Sequence, residues 1–308
     1  MFFRKKINLL PYVSEEINNF YSYSPQQAGW EITKFNIPKI WTKTQGRDVK
    51  VAVIDTGCDL DHPDLKDNML PGINIIQPKR DPEDDNGHGS HVASTIAAIN
   101  NGLGIVGVAP QTKIVPIKAL DSTGAGNTGN VAKSIIAAAD YGGVDFITMS
   151  LGSPGPVKEI ENAINYASSK GCIIFCAAGN SGPNTDIMYP AKYSNTISIG
   201  AIDQNLNRTS FTCSGDSLDF LAPGHDILGC IPGGRYALMS GTSMSNPFAV
   251  GCAALLLSYN KVSKKYILKT SQDYVKILSQ NTIKLSDQSH QTKKYQGYGI
   301  LNPVLLFK

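Results

Sequence analysis

Four short segments carry residues whose chemistry depends on what stands beside them: Asp55 closing KVAVID, His88 in NGHGSHVAS, Asn180 closing IIFCAAGN and Ser243 in GTSMSNPF. Acyl transfer through a serine needs a nucleophile, a base to take its proton, a carboxylate to orient that base and donors for the developing oxyanion. The four segments hold one candidate for each role. Taken singly, each has an ordinary explanation. A strand-end Asp is a turn residue, a Ser opening an apolar helix is an N-cap, and Gly-Asn is a turn. His91, one turn after His88, makes an HxxH pair, but zinc hydrolysis would need a third ligand and a general-base Glu beside it, and the segment has neither. His91 is therefore expected to pack in the core.

The elements that must position these residues can be read from the pattern around them. From Val49 onward, apolar β-rich runs (KVAVID, KIVPIKAL, FITMSL, CIIFCAAG) alternate with helix-like runs, expected over 89–98, 131–141, 157–169 and 243–258. Continuous apolar strands separated by helices imply an α/β fold, a mostly parallel sheet covered by helices on both faces. Asp55, Ser150-Leu151-Gly152 and Asn180 then fall at strand ends along one edge, where open α/β sheets place their sites. Residues 184–240 are richer in short strands and turns. Residues 1–29 differ in kind, basic and then Glu-, Asn-, Tyr- and Ser-rich, and read as an extension that need not belong to the core.

Composition narrows the class. A chain of 308 residues with 42% hydrophobic and 17% charged residues is long enough for one large domain, and no linker divides it. A net charge of +3 gives no reason to expect a nucleic-acid partner, and the lysine-rich tail from Lys261 reads as a solvated basic face. MFFRKKINLLPYV is broken by Pro11 and lacks a small-residue cleavage site, so no signal peptide is expected. AVGCAALLL is too short to cross a membrane, and a cytoplasmic location follows as an expectation. The six cysteines, several of them in apolar strand or helix patterns, are expected to be reduced. The acidic run Asp81, Glu83, Asp84 and Asp85 lacks ligand spacing and is expected to be a solvated loop.

It is the conjunction that carries a resemblance. VAVIDTG, NGHGSHVAS, AAGN and GTSMSNP occur in this order, with 33 residues from Asp55 to His88 and 155 from His88 to Ser243. Together they resemble the subtilase family of serine endopeptidases over roughly residues 25–305. The resemblance implies a subtilisin-like three-layer sandwich, an Asp55–His88–Ser243 triad with an acyl-enzyme intermediate, and an oxyanion hole from Asn180 and the Ser243 amide. It also implies a peptide groove between Gly124, Ala125 and Gly126 on one side and Ser150, Leu151 and Gly152 on the other. Ala177, Ala178 and Gly179 would form the far wall of the specificity pocket, and Met188, at a usually small position, would make that pocket shallow. AINNGLGIVGVAP resembles the family's calcium loop, implying Ca2+ held by Asp64, Ile99, Asn101, Leu103, Ile105 and Gln26.

Among subtilases the chain looks most like the intracellular subtilisins, through its cysteine-bearing DTGCDLDHPDL and CAAGN blocks and through Leu9-Leu10-Pro11-Tyr12. That tetrapeptide resembles the short extension with which such enzymes block their own cleft. The domains implied are an inhibitory extension over 1–24 and a catalytic domain over 25–308. The partners implied are protein or peptide substrates and a second copy in a homodimer. Ser245, Asn246 and Phe248 depart from the family pattern, so packing behind Ser243 is expected to differ. Two alternatives stand beside broad intracellular proteolysis: a cytoplasmic leader peptidase of narrow specificity, and a catalytically silent subtilase acting as a binding partner.

Overall fold

A computed structural model describes residues 6–307, so the first five residues of the expected extension lie outside the described residues. Along the chain the strands are β1 (Lys6–Leu9), β2 (Val13–Glu16), β3 (Lys50–Asp55), β4 (Ile73–Asn74), β5 (Lys113–Lys118), β6 (Ala125–Asn127), β7 (Phe146–Met149), β8 (Leu151–Gly152), β9 (Ile173–Ala177), β10 (Thr196–Ile202), β11 (Phe220–Pro223), β12 (Ile227–Ile231), β13 (Arg235–Ser240), β14 (Thr282–Ile283) and β15 (Ile300–Leu301). The helices are α1 (Trp30–Lys34), α2 (Ile37–Trp41), α3 (His88–Ala97), α4 (Thr128–Asp140), α5 (Lys158–Ser169), α6 (Thr242–Ser263), α7 (Ser271–Leu278) and α8 (Lys293–Gln296).

The apolar runs make the middle layer. Nine strands are ordered β14-β15-β11-β10-β9-β7-β3-β5-β4. Every pairing is parallel except β14 with β15 at the edge. The central strands β7, β9, β10 and β11 are buried throughout, as a sheet covered on both faces requires. Helix α6 packs over β7, β9, β10 and β11 with α3 beside it, while α4 and α5 pack on each other and against β3, β5 and β9. This is an α/β subtilisin-like sandwich with helices on both faces.

Two helices are longer than their patterns predicted, and local chemistry explains both. Asn127 caps α4 by accepting from the Asn130 amide at 2.9 Å, so that helix starts at Thr128. Helix α6 runs to Ser263 and stops where Lys264 turns left-handed at φ 54°. All six cysteines are free and buried. Among the described residues no helix is long and apolar enough to cross a membrane.

The N-terminal segment is not a separate arm. Strand β1 is the middle strand of a sheet ordered β6-β1-β8, and β2 adds to the edge of β12-β13. Ile7, Leu10 and Phe20 are buried, and Phe20 lies 4.7 Å from the Tyr236 ring. The extension therefore joins the hydrophobic interior, contrary to its polar composition, through Ile7, Leu10 and Phe20, while Val13, Tyr21 and Tyr23 stay exposed.

Candidate active site

Strand β3 delivers Asp55 to the edge of the sheet, where its carboxylate is 1% exposed. Its Oδ1 accepts from the Thr56 amide at 2.7 Å and lies 2.8 Å from His88 Nδ1. His88 opens α3 behind Gly87, which sits at φ 109°, a conformation that favours glycine. Gly89 allows the close approach of helix start and strand end, since a Cβ there would stand 2.0 Å from the Gly57 carbonyl oxygen.

The side chain that builds this corner is Asp84, which the sequence reading placed in a solvated loop. That reading is corrected by its burial and its five bonds. Oδ1 accepts from Thr56 Oγ1, Asn86 N and Gly87 N at 2.8, 3.0 and 2.9 Å. Oδ2 accepts from Ser90 N and Ser90 Oγ at 2.9 and 2.7 Å. Thr56 Oγ1 in turn accepts from the Gly89 amide at 3.0 Å. Asp84 thus ties β3 to the first turn of α3 and fixes the approach of Asp55 to His88. The available signal was an Asp followed by polar residues just before a helix, the spacing of a terminal cap. Its neighbour Asp85 does face solvent, and pairs with Lys118 at 2.6 Å. His91 is fully buried, its Nε2 sits 2.9 Å from the Ile227 carbonyl, and burial drives its pKa down to about 4, as befits a neutral core histidine.

Ser243 is the second residue of α6, and its hydroxyl and backbone are bonded reciprocally to Ser150: Oγ donates to the Ser150 carbonyl at 3.4 Å, and Ser150 Oγ donates to the Ser243 carbonyl at 3.1 Å. Asn180 is oriented from behind. Its Oδ1 accepts from Thr242 N and Oγ1 at 2.9 and 2.8 Å, which turns Nδ2 outward, where it donates to the Pro11 carbonyl at 2.7 Å. His88 Nε2 is buried without a hydrogen bond, under a Tyr12 ring whose centroid is 4.9 Å away. In this form the Asp–His link is made, and the Ser243 hydroxyl is turned toward Ser150. Behind the serine, the residues expected to alter packing are accommodated. Asn246 Nδ2 donates to Thr148 Oγ1 at 2.8 Å, Ser245 Oγ donates to Thr242 O at 2.9 Å, and the Phe248 ring packs at a tilt with its centroid 5.4 Å from that of Phe35.

Strand β1 lies between the two segments expected to line a peptide groove. Ile7 lies opposite Gly126 and Asn8 opposite Ala125 on one side; Asn8 lies opposite Gly152 and Leu9 opposite Leu151 on the other. The Leu9 amide donates to the Gly124 carbonyl at 2.9 Å. Leu10 is 2% exposed, and its Cδ2 would be 2.6 Å from a Cβ on Gly152, with Met188 beside it. The opposite wall is held by the Met188 amide donating to the Ala178 carbonyl at 3.0 Å, with Ala177 ending β9. Met188 Cγ and Cys213 Sγ crowd Gly179, 2.9 and 2.8 Å from where its Cβ would be, so the Met188 side chain packs between Gly179 and the Leu10 side chain.

Away from the groove, three backbone carbonyls, of Ile99, Leu103 and Ile105, converge on the Gln26 amide nitrogen at 2.8, 3.0 and 3.0 Å. Asp64 Oδ2 accepts from Ile105 N and Tyr236 Oη, both at 2.8 Å, while its Oδ1 is buried with nothing to accept from. Asn101 Oδ1 is turned onto the Leu103 amide at 3.0 Å. Carbonyls gathered on one point beside a carboxylate oxygen in need of a partner fit a hard cation, with the Gln26 amide turned to present its oxygen.

The fold, the strand-end carboxylate paired with a helix-start histidine and the serine at the head of a buried helix together define a serine-hydrolase architecture. The profile of the subtilase family matches residues 46–299, and the chain belongs to that family of serine endopeptidases. It is 39% identical over 305 residues to an intracellular serine protease of Paenibacillus polymyxa, an alignment covering 96% of this chain and 90% of that protein. It is 41% identical over 236 residues to Subtilisin Savinase of Lederbergia lenta, covering 76% of this chain and 86% of that protein. A thermophilic serine proteinase of Bacillus sp. (strain AK1) is 43% identical over 246 residues, covering 78% of this chain and 58% of that protein.

Proposed function

We propose that the protein hydrolyses peptide bonds inside the cell through Asp55, His88 and Ser243, and that its own N-terminal extension holds it inactive. In this reading His88 takes the Ser243 proton during attack and returns it to the leaving amine, Asp55 fixes the imidazole tautomer, and Asn180 Nδ2 with the Ser243 amide receives the oxyanion. The observation that carries it is the Pro11 carbonyl on Asn180 Nδ2 at 2.7 Å, with β1 laid between β6 and β8 as a third strand. Such strand addition binds backbone and tolerates sequence, which supports broad specificity.

The same contacts support inhibition. The side chain seated against Met188 is that of Leu10, but the carbonyl on Asn180 belongs to Pro11, one residue further on. In a productive complex, pocket side chain and attacked carbonyl come from one residue. Pro11, with fixed φ and no amide hydrogen, lets the chain cross the cleft out of step. The Tyr12 ring then covers the imidazole. Asp64, Gln26, Asn101 and the carbonyls of Ile99, Leu103 and Ile105 would hold calcium, which supplies rigidity to the loop and no step of the reaction. Intracellular action is supported by the name of the Paenibacillus polymyxa relative.

Active-site labelling with a fluorophosphonate, read by intact mass, tests the reading in wild type, Ser243→Ala and a form lacking residues 1–20. The expected result is strong labelling of the truncated form, weak labelling of the full chain and none of Ser243→Ala. Labelling of Ser243→Ala, or of no form at all in folded calcium-loaded protein, would refute it.

A further inference from the structure

Past the cleft the extension leaves along β13. Val13, Ser14, Glu15 and Glu16 lie opposite Ser240, Met239, Leu238 and Ala237, and the Ile17 amide donates to the Tyr236 carbonyl at 3.0 Å. All four β2 side chains are exposed, so this ladder reads backbone. One contact reads a side chain. Arg235 Nη1 donates to both carboxylate oxygens of Glu16, each at 3.0 Å. Arg235 Nε donates to the Pro232 carbonyl at 3.0 Å, a contact independent of Glu16 that helps to orient the guanidinium. Arg235 and Ala237 share a face of β13, so the arginine meets diagonally whatever residue lies opposite Ala237. The nearby Asp59 carboxylate does not compete, being engaged by the amides of Asp61 and Gly233 at 3.1 and 2.9 Å.

We propose that β13 and Arg235 form a substrate subsite downstream of the scissile bond, which takes an extended strand and selects Glu or Asp at the fifth residue after that bond. The position follows from the Pro11 carbonyl on Asn180, since Glu16 is the fifth residue beyond it. The inference rests on the peptidase reading above. A backbone-anchored arginine facing one carboxylate at an exposed site gives a modest preference, set by charge and screened by salt.

The test uses wild-type and Arg235→Glu chains expressed in full and incubated until intact mass shows the extension removed, with active sites counted by fluorophosphonate. Quenched peptides alike except for Glu, Gln or Lys at the fifth downstream residue are compared by kcat/KM. Wild type should favour Glu over Lys by about two- to fivefold, with the ratio shrinking in high salt, and Arg235→Glu should invert the order. Equal ratios in the two enzymes overturn the subsite. A peptide ending at the second downstream residue separates the readings, because failure of wild type to cleave it would bring down the peptidase reading itself. Should Arg235→Glu keep its extension, the contact is read in full-length Ser243→Ala chains by hydrogen exchange at residues 13–17. Glu16→Arg and Arg235→Glu should each speed exchange, and the double reversal should slow it again; unchanged exchange in the single variants overturns the proposal.

Discussion

Ile7 and Leu10 are 1% and 2% exposed, whereas the β2 residues that follow lie on the surface. If the extension closes the cleft, its hold depends chiefly on these two side chains, and truncating both should open it. Each change to alanine removes about three methylene equivalents from an apolar site, worth about 2 kcal/mol apiece, with little added cavity penalty because water refills an open groove. The pair should therefore shift the closed-to-open equilibrium by about 4 kcal/mol, roughly a thousandfold, up to the limit of full opening. The assay is the rate of fluorophosphonate labelling of freshly purified full-length Ile7→Ala/Leu10→Ala, with intact mass confirming that the extension is still attached. At least a tenfold faster rate than wild type is expected, and Val13→Ala, which alters a residue 70% exposed, should stay within about twofold of wild type. An unchanged rate in a double variant that melts at the wild-type temperature would show that the buried contacts do not govern access to Ser243.

If Asn180 donates to the oxyanion, Asn180→Ala should lower kcat of the extension-free enzyme by about 100- to 1,000-fold with little change in KM, the general scale for removing one such donor; a loss confined to KM would remove Asn180 from the oxyanion role. Glu31 is buried, with Oε2 unpartnered, and burial raises its carboxyl to about 7. The folded chain then holds a proton that the unfolded chain releases above the ordinary value of 4.5, so stability should fall as pH rises through that window to about 7. Glu31→Gln should recover at most about 3 kcal/mol at pH 8 and little at pH 5, and equal melting shifts at both values would refute the assignment. Chelation should lower the melting temperature by several degrees, as loss of a native-state ligand does, and the shift should vanish in Asp64→Ala. Asp84→Asn should slow turnover more than it lowers stability, because its first effect is to misplace His88; a loss of melting temperature with kcat intact would assign Asp84 to stability alone.

The layer that presents the candidate residues was legible in the sequence, because it is written locally. An apolar run bounded by helical patterns has few ways to bury itself, and Asp55, Asn180 and Ser243 sit at element ends whatever the tertiary arrangement. The same holds for the free cysteines, each inside a segment that the sheet or helices bury. What the sequence left undetermined depends on partners distant along the chain. Asp84 looked like one member of an acidic run until Thr56, Gly87 and Ser90 closed around it; its spacing ahead of a helix allowed a cap, but so does that of Asp85, which stays outside, and only the fold decided between them. The extension looked polar and detachable, yet it supplies a middle strand to one sheet and an edge to another. Strand pairing is made by backbone atoms that every residue carries, so register is decided by which groove is open and which side chains fit it. Leu9-Leu10-Pro11-Tyr12 suggested a blocking segment; only the tertiary structure set the Leu10 side chain against Gly152 and Met188 with the Pro11 carbonyl on Asn180, and brought Glu16 to Arg235 across a separation of 219 residues.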